Sequence, residues 1–249
     1  MIHLSVNVNK VATLRNSRGG REPSVLDAVA VCLRAGAAGI TVHPRADRRH
    51  IVPEDVQDIA RELEGRRPAV ELNIEGDPRP DLIELARQVR PDQCTLVPVV
   101  PGEITSQAGW TAGPETDRLP AVIADLKAHG IRISLFVDPV SDAVRLAASM
   151  GADRIELYTE PFARAFERGP GGARQVFAQY EAAAELAHGL GLGINAGHDL
   201  NLENLTMFRE LPHLDEVSIG HAIISRSLFV GLDTVVREYR AVLDGGRQT

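Results

Sequence analysis

The chain has 249 residues, 44% of them apolar and 24% charged, with 34 acidic against 27 basic side chains and a formal net charge of −7. This composition excludes a disordered acidic chain and a collagen-like one, and the negative balance argues against a nucleic-acid-wrapping surface. The length suits a single (β/α)8 barrel as well as two small domains. No run of 18 apolar residues occurs, and MIHLSVNVNK enters strand-like alternation rather than a signal-peptide core, so a cytoplasmic protein without membrane spans is expected. Cys32 and Cys94 have neither disulfide-framework nor metal-ligand spacing and are expected to be buried thiols.

In chain order, strand-like runs at 3–9, 39–44, 69–75, 93–98, 132–138, 154–159, 193–197 and 216–222 alternate with segments of helical spacing. The helix SVLDAVAVCLRAG starts at a Ser24 cap and stops at Gly36, and PEDVQDIARELEG carries Pro53 in its first turn and ends at Gly65. Further helices centre on 80–88, 117–129, 141–150, 173–190, 202–210 and 226–243. Strands separated by helices run parallel when they neighbour one another in a sheet, through right-handed crossovers. Eight such units predict an α/β fold closed as a (β/α)8 TIM barrel, one domain over 1–249 with a frayed tail at 244–249. An open doubly wound sheet is the rival, but no G-x-G-x-x-G turn follows the first strand.

Within the strands, residues at i, i+2 and i+4 share a face. Leu4, Val6 and Val8 oppose Ser5, Asn7 and Asn9, and Val70, Leu72 and Ile74 oppose Glu71, Asn73 and Glu75. Ile40 and Val42 oppose Thr41, His43 and Arg45, and Ile155 and Leu157 oppose Arg154, Glu156 and Tyr158. Helices covering a barrel meet the apolar faces, so the polar faces converge on the axis, where an unpaired ion would cost several kcal/mol or lose its charge. Two readings follow: an internal salt-bridge network built on Arg45, Arg154, Glu71, Glu75 and Glu156, or a hydrated ligand pocket. The pocket is favoured, because barrel sites lie at the C-terminal strand ends, where Asn9, His43, Arg45, Glu75 and Asp138 fall.

The loops add cations. KVATLRNSRGGREP, read as a long basic loop, carries Lys10, Arg15, Arg18 and Arg21 and could hold phosphate, or could be a solvated surface. HPRADRRH crowds His43, Arg45, Arg48, Arg49 and His50 into eight residues without zinc-like spacing. VVPGEITSQAGWTAG has the length and glycine content of a lid, with Trp110 as its latch or as an anchor. NAGHDL and SIGHAI place glycine directly before His198 and His221, where backbone N–H groups can approach a phosphate. His129 and His188, each preceding glycine at a helix end, are expected to complement helix dipoles.

Taken together, VNVNKVATLRNSRG, GITVHPRADRRHI, ELNIEG, TLVP with EITSQAGW, RISLFVD, RIELYT, GINAGHDL and VSIGHAII resemble the pyridoxine 5′-phosphate synthase family over nearly the whole chain. The resemblance implies a TIM barrel with additional helices, assembled as a homo-octamer of dimers. It implies condensation of 1-deoxy-D-xylulose 5-phosphate with 3-amino-2-oxopropyl phosphate to pyridoxine 5′-phosphate, with loss of phosphate and water. It further implies His43, Glu71 and His198 as acid/base groups, with a His43–Glu71 hydrogen bond between neighbouring strands. Asn7, Arg18, Arg45, His50, Thr105, Asp199, Gly220 and His221 match substrate-holding positions, Arg18 reaching a neighbouring subunit, and Glu156 fits a supporting polar role. No metal and no cofactor are implied; the partners are small phosphorylated substrates.

The chemistry agrees: building a pyridine ring from an aminoketone and a ketose needs repeated proton transfers, which histidine and a carboxyl of raised pKa provide. Asn9 and Lys10 stand where the family pattern has Asp-His; the amide still hydrogen-bonds, and the ammonium can pair with phosphate. Asp199 replaces a common glycine, which suggests a backbone contact to the ligand. The resemblance selects Glu71, whereas strand-end position alone selects Glu75. The competing functions are a metal-dependent sugar-phosphate epimerase or aldolase, and a paralogue that binds the phosphorylated vitamer without making it.

Overall fold

The computed structural model describes residues 1–99 and 108–245. Its strands are β1 (His3–Asn7), β2 (Gly39–Val42), β3 (Glu71–Gly76), β4 (Gln93–Leu96), β5 (Arg132–Val137), β6 (Arg154–Tyr158), β7 (Gly193–Gly197) and β8 (Leu214–Ile219). All pair in parallel with their sequence neighbours, and β8 closes on β1, so the sheet is a closed eight-stranded barrel. The apolar strand residues Leu4, Val6, Ile40, Val42, Leu72 and Ile74 are at most 2% exposed beneath the surrounding helices, as the alternation requires. Cys32 and Cys94 are free, buried thiols.

Three aspartates tie the strands at their N-terminal ends. Asp92, Asp153 and Asp215 accept the backbone N–H groups of Leu72, Ile133 and Ile194 at 2.8, 2.8 and 2.9 Å. Each stands at the start of an even-numbered strand and holds the preceding odd-numbered one, accepting from a backbone N–H at that strand's start.

The expected helices correspond to α2 (Val25–Arg34), α3 (Pro53–Leu63), α4 (Pro80–Val89), α5 (Leu119–Ala128), α6 (Ser141–Ser149), α8 (Pro170–Gly189) and α9 (Leu205–Phe208). Ser24 caps α2 by accepting the Asp27 N–H, and Pro53 opens α3. Two helices depart from expectation: α1 (Asn9–Asn16) occupies the first half of the supposed basic loop, and α7 (Glu160–Glu167) precedes α8. Only Val11 and Ala12 of α1 are buried, which explains its weak pattern, and Arg15 ties it to Asp55 of α3 through two hydrogen bonds. The single helix expected over 226–243 is two, α10 (His221–Val230) and α11 (Leu232–Leu243), broken at Gly231, whose φ of 87° a residue with a side chain rarely adopts. Of the supposed frayed tail, 246–249 lie outside the described residues, while the Asp244 and Gly245 N–H groups still bond Arg240 O and Val242 O. Among the described residues no helix is long and apolar enough to cross a membrane.

The barrel axis is mostly polar, and its two ends differ. At the N-terminal end Arg132 pairs with Glu71 and donates to Gln93 Oε1 at 3.1 Å, while Arg154 donates to Asn195 Oδ1 at 2.9 Å. In the middle, Ser5 and Thr41 share a hydrogen bond at 2.7 Å and Thr95 donates to Asn73 at 3.1 Å. The cavity reading of the polar faces holds at one end; of the expected salt-bridge network, Glu71 is ion-paired with Arg132 in place of Arg45 or Arg154, while Arg45 pairs with Asp47 and Glu75 and Glu156 line the cavity.

Candidate active site

The C-terminal strand ends surround a cavity of about 300 Å³. Asn7 of β1 and Asn9 and Lys10 of α1 form one wall, and the segment after β2 adds His43, Arg45 and His50. Glu75 and Glu156 come from β3 and β6, and the turns after β7 and β8 contribute His198, Asp199, Gly220 and His221. Val97, Phe136 and Ser218 complete the lining. Val97 and Phe136 form a small apolar cluster with Tyr158, apart from the main core.

Glu71 is the main correction. It opens β3, so it sits at the opposite end of the barrel, paired with Arg132, and the expected His43–Glu71 bond does not form. The β2–β3 register aligns Val42 with Ile74, which brings Glu75 beside His43 at the cavity. Arg18 is exposed and does not line the cavity. Thr105 and most of the supposed lid fall outside the described residues, but Trp110 is buried rather than at the surface, its indole N–H donating to Leu96 O at 2.8 Å. His129 caps α5, its Nδ1 2.9 Å from Asp125 O, and His188 in the last turn of α8 stacks on His213 at 3.7 Å.

Burial and charge set the protonation states. His43 is buried, and that burial, aided by His50, Arg45 and Arg79, pushes its pKa down to about 3 against an opposing Asp47, so the ring is neutral at pH 7. Its Nε2 has no hydrogen-bond partner among the described residues, leaving that nitrogen for a ligand. Burial, then Lys10 and Arg45, bring His50 down to about 4. Desolvation lifts Glu75 to about 7 despite the nearby His198, with Glu216 reinforcing the rise. Burial, reinforced by Glu75 and Glu216, holds the Glu156 carboxyl well above the usual carboxylate range; its Oε2 has no partner among the described residues.

Local bonds hold these groups. Asn9 Oδ1 accepts the His43 backbone N–H at 2.9 Å, so Asn9 has a positioning task in addition to facing the cavity. The Asp199 carboxylate meets His198 Nδ1 at 2.5 Å. Gly220 precedes α10 and His221 opens it, so the N-terminus of this helix, where N–H groups lack intrahelical partners, borders the cavity. Sequence reasoning passed over Phe136 and Val97, although Phe136 shares the inward parity of Arg132 and Ser134; only its apolar character concealed it.

Neutral imidazole, a carboxyl titrating near neutrality and a second buried carboxyl of raised pKa, beside Lys10 and Arg45, define the class: a (β/α)8-barrel enzyme with an acid–base cavity for a small molecule. The chain belongs to the pyridoxal phosphate biosynthesis protein PdxJ family, whose model matches residues 4–245. It is 51% identical over 241 residues to the pyridoxine 5′-phosphate synthase of Porphyromonas gingivalis, covering 96% of this chain and 98% of that one. Identity to the pyridoxine 5′-phosphate synthase of Leptospira biflexa is 45%, with 100% of both chains covered. Phosphoribosyl anthranilate isomerase from Thermotoga maritima matches with a TM-score of 0.62 at 15% identity over 98% of this chain and 100% of that one, a likeness of fold alone.

Proposed function

We propose that this chain makes pyridoxine 5′-phosphate by condensing 1-deoxy-D-xylulose 5-phosphate with 3-amino-2-oxopropyl phosphate, releasing phosphate and water. The observation that carries the reading is the convergence of neutral His43, near-neutral Glu75 and the buried carboxyl of Glu156, its pKa raised, on one cavity with a cationic rim. Lys10, Arg45, His50 and the α10 N-terminus hold the phosphates. His43 removes protons beside carbonyls through its unpaired Nε2, and Glu75 gives and takes protons in turn. Glu156 donates to a departing oxygen, and His198, braced by Asp199, serves the other side of the growing ring. Asn7 and Gly220 shape the ligand's bed. Thr105 and Arg18 belong to the same reading, Arg18 by reaching from its exposed position into a neighbouring subunit of a homo-octamer. The reaction is of transferase type, in the cytoplasm, and the chain acts as one domain.

Incubation of the purified protein with both phosphorylated substrates should yield pyridine absorbance and inorganic phosphate in parallel. Tight product binding without turnover would replace this reading with that of a vitamer-binding protein.

A further inference from the structure

His198 sits in a conformation that needs support. Its φ is +95°, a region that residues with a Cβ seldom occupy. The β6–β7 ladder ends just before it, at the Tyr158–Gly197 pair, so backbone pairing does not hold the turn. What lies one residue beyond the ladder is Thr159, fully buried. Its hydroxyl donates to Gly197 O at 2.5 Å and accepts the Asp199 N–H at 3.3 Å, bonding the residues on both sides of His198. Thr159 also stands at the N-cap of α7, where a threonine side chain ordinarily bonds its own helix, yet here it makes no cap bond. The hydroxyl is diverted across to β7 at the expense of α7.

Three further contacts fit the same assignment. The Tyr158 ring meets the His198 imidazole edge-on, with centroids 5.4 Å apart, and Tyr180 OH anchors Tyr158 by donating to its carbonyl at 2.6 Å. Asn204 Nδ2 donates to Asp199 O at 3.0 Å from the far side of the turn.

We propose that Thr159 is a positioning residue for His198: its buried hydroxyl clips the backbone on either side of the histidine and so fixes the imidazole at the cavity wall. The inference rests on the acid–base reading of His198. Without the clip the turn can relax toward an ordinary φ, carrying the imidazole away from its working geometry, and misplacement on the scale of an ångström costs up to about 10²-fold in rate.

The test compares Thr159→Val, which keeps shape but loses the hydroxyl, with Thr159→Ser, which keeps the hydroxyl, and with His198→Ala, each checked for folding by circular dichroism. Thr159→Val should lower kcat by roughly 10-fold or more with little change in KM, Thr159→Ser should restore most of it, and Thr159→Val should have no further effect in the His198→Ala background. Wild-type kcat in Thr159→Val alongside an impaired His198→Ala would overturn the proposal while leaving His198 in place. Wild-type turnover by His198→Ala would overturn the acid–base reading and the proposal with it. Should Thr159→Val not fold, Thr159→Ala carries the same contrast with Thr159→Ser, and failure of both to fold would make the hydroxyl structural and overturn the proposal.

Discussion

Asn7 donates its side-chain amide to Glu75 Oε2 at 3.3 Å while its Oδ1 takes the Asn9 backbone N–H at 3.0 Å. One amide thus couples the carboxyl on β3 to the first turn of α1, whose Asn9 in turn holds the backbone of His43. Two neutral amides position Glu75 and the backbone of His43, and they hold Glu75 without supplying the full charge that would drive it to ionise.

Glu75→Gln should lower turnover by about 10² or more with the fold intact, because it removes a group able to exchange protons near neutral pH. Glu71→Gln should leave turnover near wild type and cost about 1–3 kcal/mol of stability, since it strips Arg132 of a half-buried partner. Steady-state kinetics and thermal melts on the two variants separate the roles, and the reverse pattern would return the acid–base task to Glu71.

Glu216 gives the N-terminal end of the barrel a pH signature. It is buried, with its pKa raised to about 7 by desolvation first and by Glu71 next, against opposing Arg154 and Arg132. A carboxyl whose folded pKa lies above its unfolded value near 4.5 contributes stability below about 4.5 that is lost as pH rises through about 7. Glu216→Gln cannot ionise, so it should gain on the wild type across that window, by up to about 3 kcal/mol. Melting temperatures of both proteins from pH 4.5 to 8 check this; a constant difference would mean that Glu216 does not change protonation on folding.

Gly197→Ala should keep the barrel but impair the site. An added Cβ would lie 2.8 Å from Glu156 Oε1 and 2.9 Å from Ser218 O, so the Glu156 carboxyl or the β7–β8 backbone must move. Turnover is expected to fall by up to about 10²-fold. Unchanged kinetics would show that Glu156 can shift without consequence.

Much of this protein is written in its periodicity. Alternation along eight short runs determined the strands, the outward apolar faces and the polar axis, because side-chain direction in a strand follows parity alone. Position at strand ends pointed Asn9, His43, Arg45, Glu75 and Asp138 to one opening, which the first four line while Asp138 accepts the Gly109 N–H instead, and glycine before His198 and His221 marked the same rim. Parity is blind to depth, however. Glu71 and Glu75 share a face and a chemistry, and only closure of the barrel, which stacks the inward residues of eight strands into tiers, sends one to the Arg132 pair and the other to the cavity. The helix at Asn9–Asn16 and the Thr159 clip were hidden for a related reason: each is held by distant partners, Asp55 for one and the β7 turn for the other, and a contact between residues far apart in the chain leaves no local pattern to read.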